Sequence, residues 1–229
     1  MTDPLVSSYA DEMRDRLRRI DTCAVSDALD KLGLTGCVTG LPPLSSTRRI
    51  AGRVHTVKLV KADQATKRAG PPRHLGCTAI EACEPGEIIV VEQKSGIDCG
   101  SWGGILSLGA QLRGVAGVIA DGPVRDIDEA RQMDFPVFGR SGTARTARGR
   151  IAEEATDAPV TIGDVTVHAG DYALADASSV VFIPAADIAR VLDTAESIAA
   201  REAAMAEALR EGKPIGEVMG ANYENMLKK

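Results

Sequence analysis

The strongest constraint on the fold is an alternation in the middle of the chain. PGEIIVVE at 85–92 is a turn followed by a fully apolar run. WGGILSLGAQLRG then carries Ile105, Leu106, Leu108, Ala110 and Leu112, the pattern of a buried helix ending near Gly114. VAGVIADG is a second short apolar strand closing in a turn, and VRDIDEARQM begins another helix. Strand–helix–strand–helix order is the grammar of a parallel β layer covered by helices.

The flanks add elements of other kinds. Residues 8–20 place Met13, Leu17 and Ile20 at helix spacing. In DTCAVSDALDKLG, Asp21 or Thr22 caps a short helix that buries Val25, Ala28 and Leu29, and Gly33 ends it. LPPL at 41–44 predicts an extended loop, AGRVHTVKLV at 51–60 a strand, and the polar, Pro/Gly-broken stretch 61–78 a surface loop. After residue 155, turns at Gly163-Asp164 and 169–171 divide short strands into a β-meander. Residues 185–210 read as one long amphipathic helix through Ile188, Val191, Leu192, Ala195 and Ile198, continuing to Met205 and Leu209 and stopped by Gly212-Lys213-Pro214. No internal repeat is present. The expected organisation is a single α/β domain over 1–229, with 185–229 a C-terminal helical extension.

Composition removes several function classes. Aromatic residues make up 3% of the chain, too few for stacking on single-stranded nucleic acid, and the net charge of -5 opposes broad phosphate binding. The basic run RSGTARTARGR at 140–150 reads as a solvated loop, with an anion or RNA contact as the alternative. Five scattered cysteines (23, 37, 77, 83 and 99) without a CxxC pattern suit reduced thiols, mostly buried. The charged N-terminus has no apolar signal region and no run is long enough to span a bilayer. A soluble, cytoplasmic protein with neither nucleic-acid nor membrane partners is expected.

Nucleotide P-loop, dinucleotide GxGxxG and serine-hydrolase GxSxG motifs are absent. His55, His74 and His168 lie far apart and read as surface or strand residues rather than ligands. What remains runs from Gly103 to Glu129. Gly103, Gly104, Ile105 and Leu106 stand where a loop enters a helix, so their backbone N–H groups can hold a carboxylate. Arg125 and Asp126 follow the C-terminal end of an apolar strand, the edge where α/β sheets place ligands. Asp126 suits a hard divalent cation and Arg125 an oxo-acid carboxylate. The alternative is structural: Asp126 caps the helix 127–133 and Arg125 forms a salt bridge.

The stretch WGGILSLGAQLRGVAGVIADGPVRDIDEARQMDFPVFGRSGTAR resembles the regulator-of-ribonuclease-activity-A-like family. That family includes the 4-hydroxy-4-methyl-2-oxoglutarate/4-carboxy-4-hydroxy-2-oxoadipate aldolases, and members are often labelled demethylmenaquinone methyltransferases. VSDALDKLG at 25–33, the PGEIIVVE strand and PVTIGDVTVHAGDYALADASSVVFIP fall in the family's order. So does its spacing: twenty residues separate Gly104 from Arg125-Asp126, and Glu129 supplies the later acid.

The resemblance implies an α/β/β/α sandwich of the swivelling β/β/α type, assembled as a homotrimer or dimer of trimers. It implies Mg²⁺ or Mn²⁺ on Asp126, substrate contact by Arg125, and a pyruvoyl carboxylate on the backbone of Gly103, Gly104, Ile105 and Leu106. Glu202 would approach the metal through water from the adjacent subunit. The implied activity is cleavage or decarboxylation of pyruvate-like 2-oxo acids, with a metal-bound water as base because no histidine is placed for it. Aldolases of the family commonly carry Asp where Gly104 stands, which puts the aldol step in doubt more than the metal. The alternative function is a non-catalytic regulator that binds a ribonuclease.

Overall fold

The computed structural model describes residues 4–66 and 73–220. Helices α1 (Pro4–Leu17) and α2 (Thr22–Leu32) precede the short strand β1 (Cys37–Val38) and the long strand β2 (Ile50–Lys61). Alternation follows: α3 (Cys77–Ala82), β3 (Ile88–Gln93), α4 (Gly104–Leu112), β4 (Gly117–Val124), α5 (Ile127–Gln132) and β5 (Val137–Gly142). Then come β6 (Ile151–Thr156), β7 (Val160–Ile162), β8 (Val165–Val167), β9 (Tyr172–Ala175) and β10 (Val180–Ile183), and the helices α6 (Ile188–Arg210) and α7 (Ile215–Val218).

β2, β3, β4 and β5 pair in parallel, as the alternation predicts. β2 is long enough to serve two halves. Its first residues, from Ile50 to Arg53, pair antiparallel with β9, and its later residues pair with β3 on one side and β6 on the other. Strands β9, β10 and β1 continue the sheet antiparallel, whereas β7 and β8 form a separate hairpin.

Three apolar cores result, stacked as an α/β/β/α sandwich. Ala79, Leu106, Ala110 and Ala130 of α3–α5 cover Val57, Val91 and Val118 on one face of the parallel strands. On the other face Val54, Ile88 and Ile119 meet Ile162 and Val167 of the hairpin and Phe182 of β10. Period-two geometry then turns Val181 and Ile183 outward, onto Leu17 of α1, Leu29 of α2 and Val191 of α6. Each large side chain fully buried this way contributes about 1.5–3 kcal/mol.

The caps of α2 are as expected. Asp21 accepts the Ala24 N–H at 2.8 Å, and Gly33 closes the helix in the left-handed region. The base of α2 is held by Asp176, which accepts the Thr22 N–H at 3.0 Å, the Thr22 hydroxyl at 2.7 Å and the Ser178 N–H at 2.9 Å. Burial pushes the Asp176 carboxyl up, but these bonds and Arg49 outweigh it and hold it below the usual carboxylate range. A depressed carboxyl adds stability above its ordinary value near 3.9 and loses it as pH falls through the depressed one. Asp176→Asn leaves one Thr22 donor facing an NH₂ group and should cost about 1–3 kcal/mol at pH 7. Urea melts should show that gap closing below about pH 4; a gap independent of pH would refute the assignment.

Several expectations need correction. The loop expected over 61–78 falls partly on residues 67–72, outside the described residues, and its last two residues already belong to α3. The strand expected to stop at Asp121-Gly122 continues to Val124, because a register shift between Ala120 and Pro123 absorbs the proline. α4 is not buried all round: Leu106 and Ala110 are inside, but Ile105 and Leu112 are each 80% exposed. The meander is split, β7–β8 leaving the main sheet. Only Cys83 and Cys99 of the five thiols are buried, and all five are free. Among the described residues no helix is long and apolar enough to cross a membrane.

Candidate active site

Strand β4 and helix α5 meet at Arg125-Asp126, and one backbone choice there shapes the site. Asp126 is left-handed, with φ 58° and ψ 37°. That conformation costs a side-chain-bearing residue on the order of 1–2 kcal/mol, with Asp and Asn tolerating it best. Asp126 occupies the N-cap position of α5, yet its side chain makes no capping bond. Instead Oδ2 accepts the Gly104 N–H at 3.1 Å, and Arg125 Nε donates to both carboxylate oxygens at 3.2 Å. The capping role is thereby excluded, while the Arg125 ion pair is present. Nε makes both contacts of the pair, and among the described residues the outer NH₂ groups of the guanidinium have no hydrogen-bond partner, which leaves them open to a further acceptor.

Two glycines permit this approach. A Cβ on Gly103 would come within 2.9 Å of Asp126 Oδ2. A Cβ on Gly104 would overlap Glu129 Oε2, so the carboxylate of Glu129 fills the volume that a side chain at 104 would enter. The N–H of Gly104 is committed to Asp126; Ile105 and Leu106, in the first turn of α4, have no intrahelical acceptor for theirs. Trp102 supports the turn from below: its Nε1 donates to Ser107 Oγ at 3.0 Å, and that hydroxyl donates to Gly103 O at 3.1 Å.

These residues line a cleft of about 220 Å³, together with His74, Leu75, Trp102 and Thr146. That is below the roughly 300–1,000 Å³ of sites for drug-sized ligands and suits a small molecule. Gly103, Gly104, Ile105, Leu106, Arg125 and Asp126 all belong to it, so every predicted substrate-binding residue is gathered in one place. Glu129 stands beside Gly104 and borders the adjoining groove on the α5 side. Glu202 is not among the lining residues. It lies on α6, where burial, with Asp27 of α2 and the α2 cap Asp21 adding repulsion, raises its carboxyl.

His74 is the residue that sequence reasoning missed. Its Nδ1 lies 3.1 Å from the Leu75 carbonyl oxygen. A carbonyl can only accept, so the neutral ring carries its proton on Nδ1 and its lone pair on Nε2. A solitary histidine with no spacing partner gives no sequence signal, and only the folded cleft reveals it. The basic stretch 140–150 lies beside the cleft rather than wholly apart from it. Thr146 and Ala147 line the cleft, while Arg145 pairs with Asp98 at 3.4 Å.

The donors present fit a hard divalent cation. Asp126 and Glu129 offer only oxygen and flank the same point at Gly104. A carboxylate has about four lone-pair positions, so Asp126 retains capacity after binding Gly104 and Arg125.

Comparison with known proteins places the chain. A family model described as "RraA-like: Aldolase/RraA" matches residues 22–182. A Halalkalibacterium halodurans protein, provisionally named a 4-hydroxy-4-methyl-2-oxoglutarate aldolase, is 31% identical over 196 residues, covering 85% of this chain and 87% of that relative. The DlpA protein of Legionella pneumophila is 26% identical over 209 residues, covering 90% of this chain but 33% of DlpA. The chain therefore corresponds to about a third of that relative's length. A crystal structure of an uncharacterized Pseudomonas syringae protein superposes with a TM-score of 0.81 at 27% identity, over 92% of this chain and 98% of that one. Streptomyces coelicolor RraAS2 shares the fold, with a TM-score of 0.73 at 22% identity, over 88% and 96% of the two chains. With a family match across well over half of its length, the chain belongs to the RraA-like (Aldolase/RraA) family.

Proposed function

We propose that this protein is a divalent-metal-dependent carbon–carbon lyase acting on pyruvate-like 2-oxo acids, by retro-aldol cleavage, decarboxylation or both. The observation that carries this reading is the Asp126 carboxylate, turned off its own helix into a small cleft beside Arg125. That carboxylate leaves α5 uncapped and instead joins Arg125 to the first turn of α4, at the mouth of the cleft.

Asp126 and Glu129 would hold Mg²⁺ or Mn²⁺, which when bound supplies positive charge beside the 2-oxo and carboxylate oxygens of the substrate. The outer edge of Arg125 binds substrate carboxylate and stabilises the charge that develops when the C3–C4 bond breaks. The electron pair of that bond passes to C3 and the 2-oxo oxygen as a pyruvate enolate, later protonated at C3. For a 4-hydroxy substrate the C4 hydroxyl must lose its proton, and Nε2 of His74 is the acceptor in the cleft. Oxaloacetate gives the same enolate with loss of CO₂ and needs no such acceptor. Ile105 and Leu106 N–H groups orient the pyruvoyl carboxylate.

In this reading a single-domain chain assembles as a trimer or dimer of trimers, in which Glu202 would help to hold a neighbouring subunit's metal. Oxalate, a planar dianion resembling the pyruvate enolate, provides the binding test. In the presence of Mn²⁺, calorimetry should detect oxalate on the wild type and at least about tenfold weaker binding on Asp126→Asn. Equal binding to both would remove Asp126 from the site.

Glu129 takes the place of the acid that aldolases of this family carry at 104. Gly104→Asp should push the flexible Glu129 carboxylate aside rather than unfold the chain. Glu129→Ala should then lower turnover by about tenfold in the wild type, the scale of a weakened metal shell, but scarcely at all in the Gly104→Asp background. Additive losses in steady-state kinetics would show that the two carboxylates are not equivalent.

A further inference from the structure

At the opposite end of the parallel strands lies a second group of donors that the proposed reaction does not use. Glu87 immediately precedes β3, while Arg125 follows β4, and Ile88 pairs with Gly117. The two places are therefore separated by the rise of about eight strand residues, roughly 25 Å. Around Glu87, one ligand atom each of His55, Cys83 and Glu87 lies within 4.8 Å of the other two. His55 comes from β2, Cys83 from the end of α3 and Glu87 from the turn before β3, so three separately positioned segments converge.

The surroundings of His55 fix its orientation. Nδ1 contacts Asp157 Oδ1 at 2.9 Å, and Nε2 lies 3.0 Å from Glu87 Oε2. Asp157 is itself anchored: it is left-handed at φ 57°, accepts the Thr56 N–H at 3.3 Å, and donates its own N–H to Thr56 O at 2.8 Å. A histidine backed at one nitrogen by an anchored carboxylate, with its other nitrogen turned to further donors, is the usual support of a protein metal ligand. Cys83 is fully buried, and Arg113 donates to its carbonyl at 3.2 Å. His55 and Glu87 also line a cleft of about 280 Å³ that includes Arg14 and Arg53.

We propose that His55 Nε2, Cys83 Sγ and a Glu87 carboxylate oxygen form a second metal site, selective for a borderline transition ion such as Zn²⁺. The mixed nitrogen, sulfur and oxygen set suits that ion and not the hard cation at Asp126. Tetrahedral bonds of about 2.0–2.3 Å require donor separations of about 3.3–3.8 Å, so the His55–Glu87 contact of 3.0 Å opens slightly. Water or a small anion from the cleft completes four-coordination. Binding releases the Cys83 thiol proton, and the Nε2 proton wherever His55 is charged, to solvent. The rival occupant is a proton: an imidazolium bridging Glu87 and Asp157 satisfies the same two histidine contacts.

Cobalt separates the two. The full-length Asp126→Ala variant, which lacks the oxo-acid metal ligand, is stripped with chelator and titrated with Co²⁺ and then Zn²⁺. One equivalent of Co²⁺ should bind and give a thiolate-to-cobalt absorption band, bleached by one equivalent of Zn²⁺. Glu87→Gln and Cys83→Ala should abolish or greatly weaken the binding, and Asp157→Asn should weaken it by about 10–100-fold. Zn²⁺ should also raise the melting temperature of the Asp126→Ala protein. No stoichiometric cobalt, or cobalt without the thiolate band, overturns the site and leaves the imidazolium bridge. The band is read without any change at Cys83, so poor folding of Cys83→Ala does not obscure the result. Loss of oxo-acid turnover has no bearing on it.

Discussion

Replacing Asp126 with Ala, or Arg125 with Ala, should each lower kcat/KM for pyruvate release by about 10²–10³, the loss typical of one charge-stabilising group at a developing oxyanion. Asp126 joins three parts of the cleft at once. It accepts from Gly104 and pairs with Arg125, and in the proposed reaction its remaining lone pairs would hold the cation. Alanine at a left-handed position adds backbone strain, so Asp126→Asn is the cleaner variant. Asparagine tolerates φ 58° and still accepts the Gly104 N–H but loses the charge. A fall in Asp126→Asn comparable to that in Asp126→Ala, with unchanged melting, assigns the loss to charge. Arg125→Lys keeps the charge without the planar fork and should recover only part of the activity. Wild-type turnover in both alanine variants would mean that chemistry occurs elsewhere.

His74→Gln should divide two activities that share one enolate. Cleavage of 4-hydroxy-4-methyl-2-oxoglutarate needs the C4 hydroxyl proton removed, and loss of a positioned base costs about 10²–10⁴ in rate. Oxaloacetate decarboxylation has no such proton and should stay within a few-fold of the wild type. The split distinguishes a base from a positioning residue, since a distorted cleft would lower both rates together. The Leu75 carbonyl makes the case specific, because in the neutral ring it holds the proton on Nδ1 and leaves the lone pair on Nε2. Equal losses for the two substrates would return the role to water.

The sequence carried the elements whose signals are local. Asp21 and Gly33 bound α2, the apolar run before Gln93 is β3, and the stripe from Ile188 to Ile198 is the buried face of α6. Arg125-Asp126 and the Gly103–Leu106 turn were legible because a strand end and a helix start are marked by glycines and a proline. Other features depended on tertiary context. α3 has six residues, too few for a periodic pattern, and Asp121-Gly122-Pro123 imitates a turn that the strand shift overrides. The apolar pattern of α4 could not reveal that Ile105 and Leu112 face outward in the chain. No spacing rule connects His74 to Asp126, or His55 to Cys83 and Glu87, because the sheet brings together residues far apart in sequence. The direction of the Asp126 side chain follows from a single backbone angle that composition does not encode.

The most direct measurement is pyruvate release from oxaloacetate and from 4-hydroxy-4-methyl-2-oxoglutarate, with Mg²⁺ or Mn²⁺ present and after chelation. The predicted result is metal-dependent turnover of at least one substrate, lost in Asp126→Asn and Arg125→Ala. Absence of turnover of both substrates, with no binding of Mn²⁺ at Asp126, would contradict the lyase assignment and favour a protein-binding regulator.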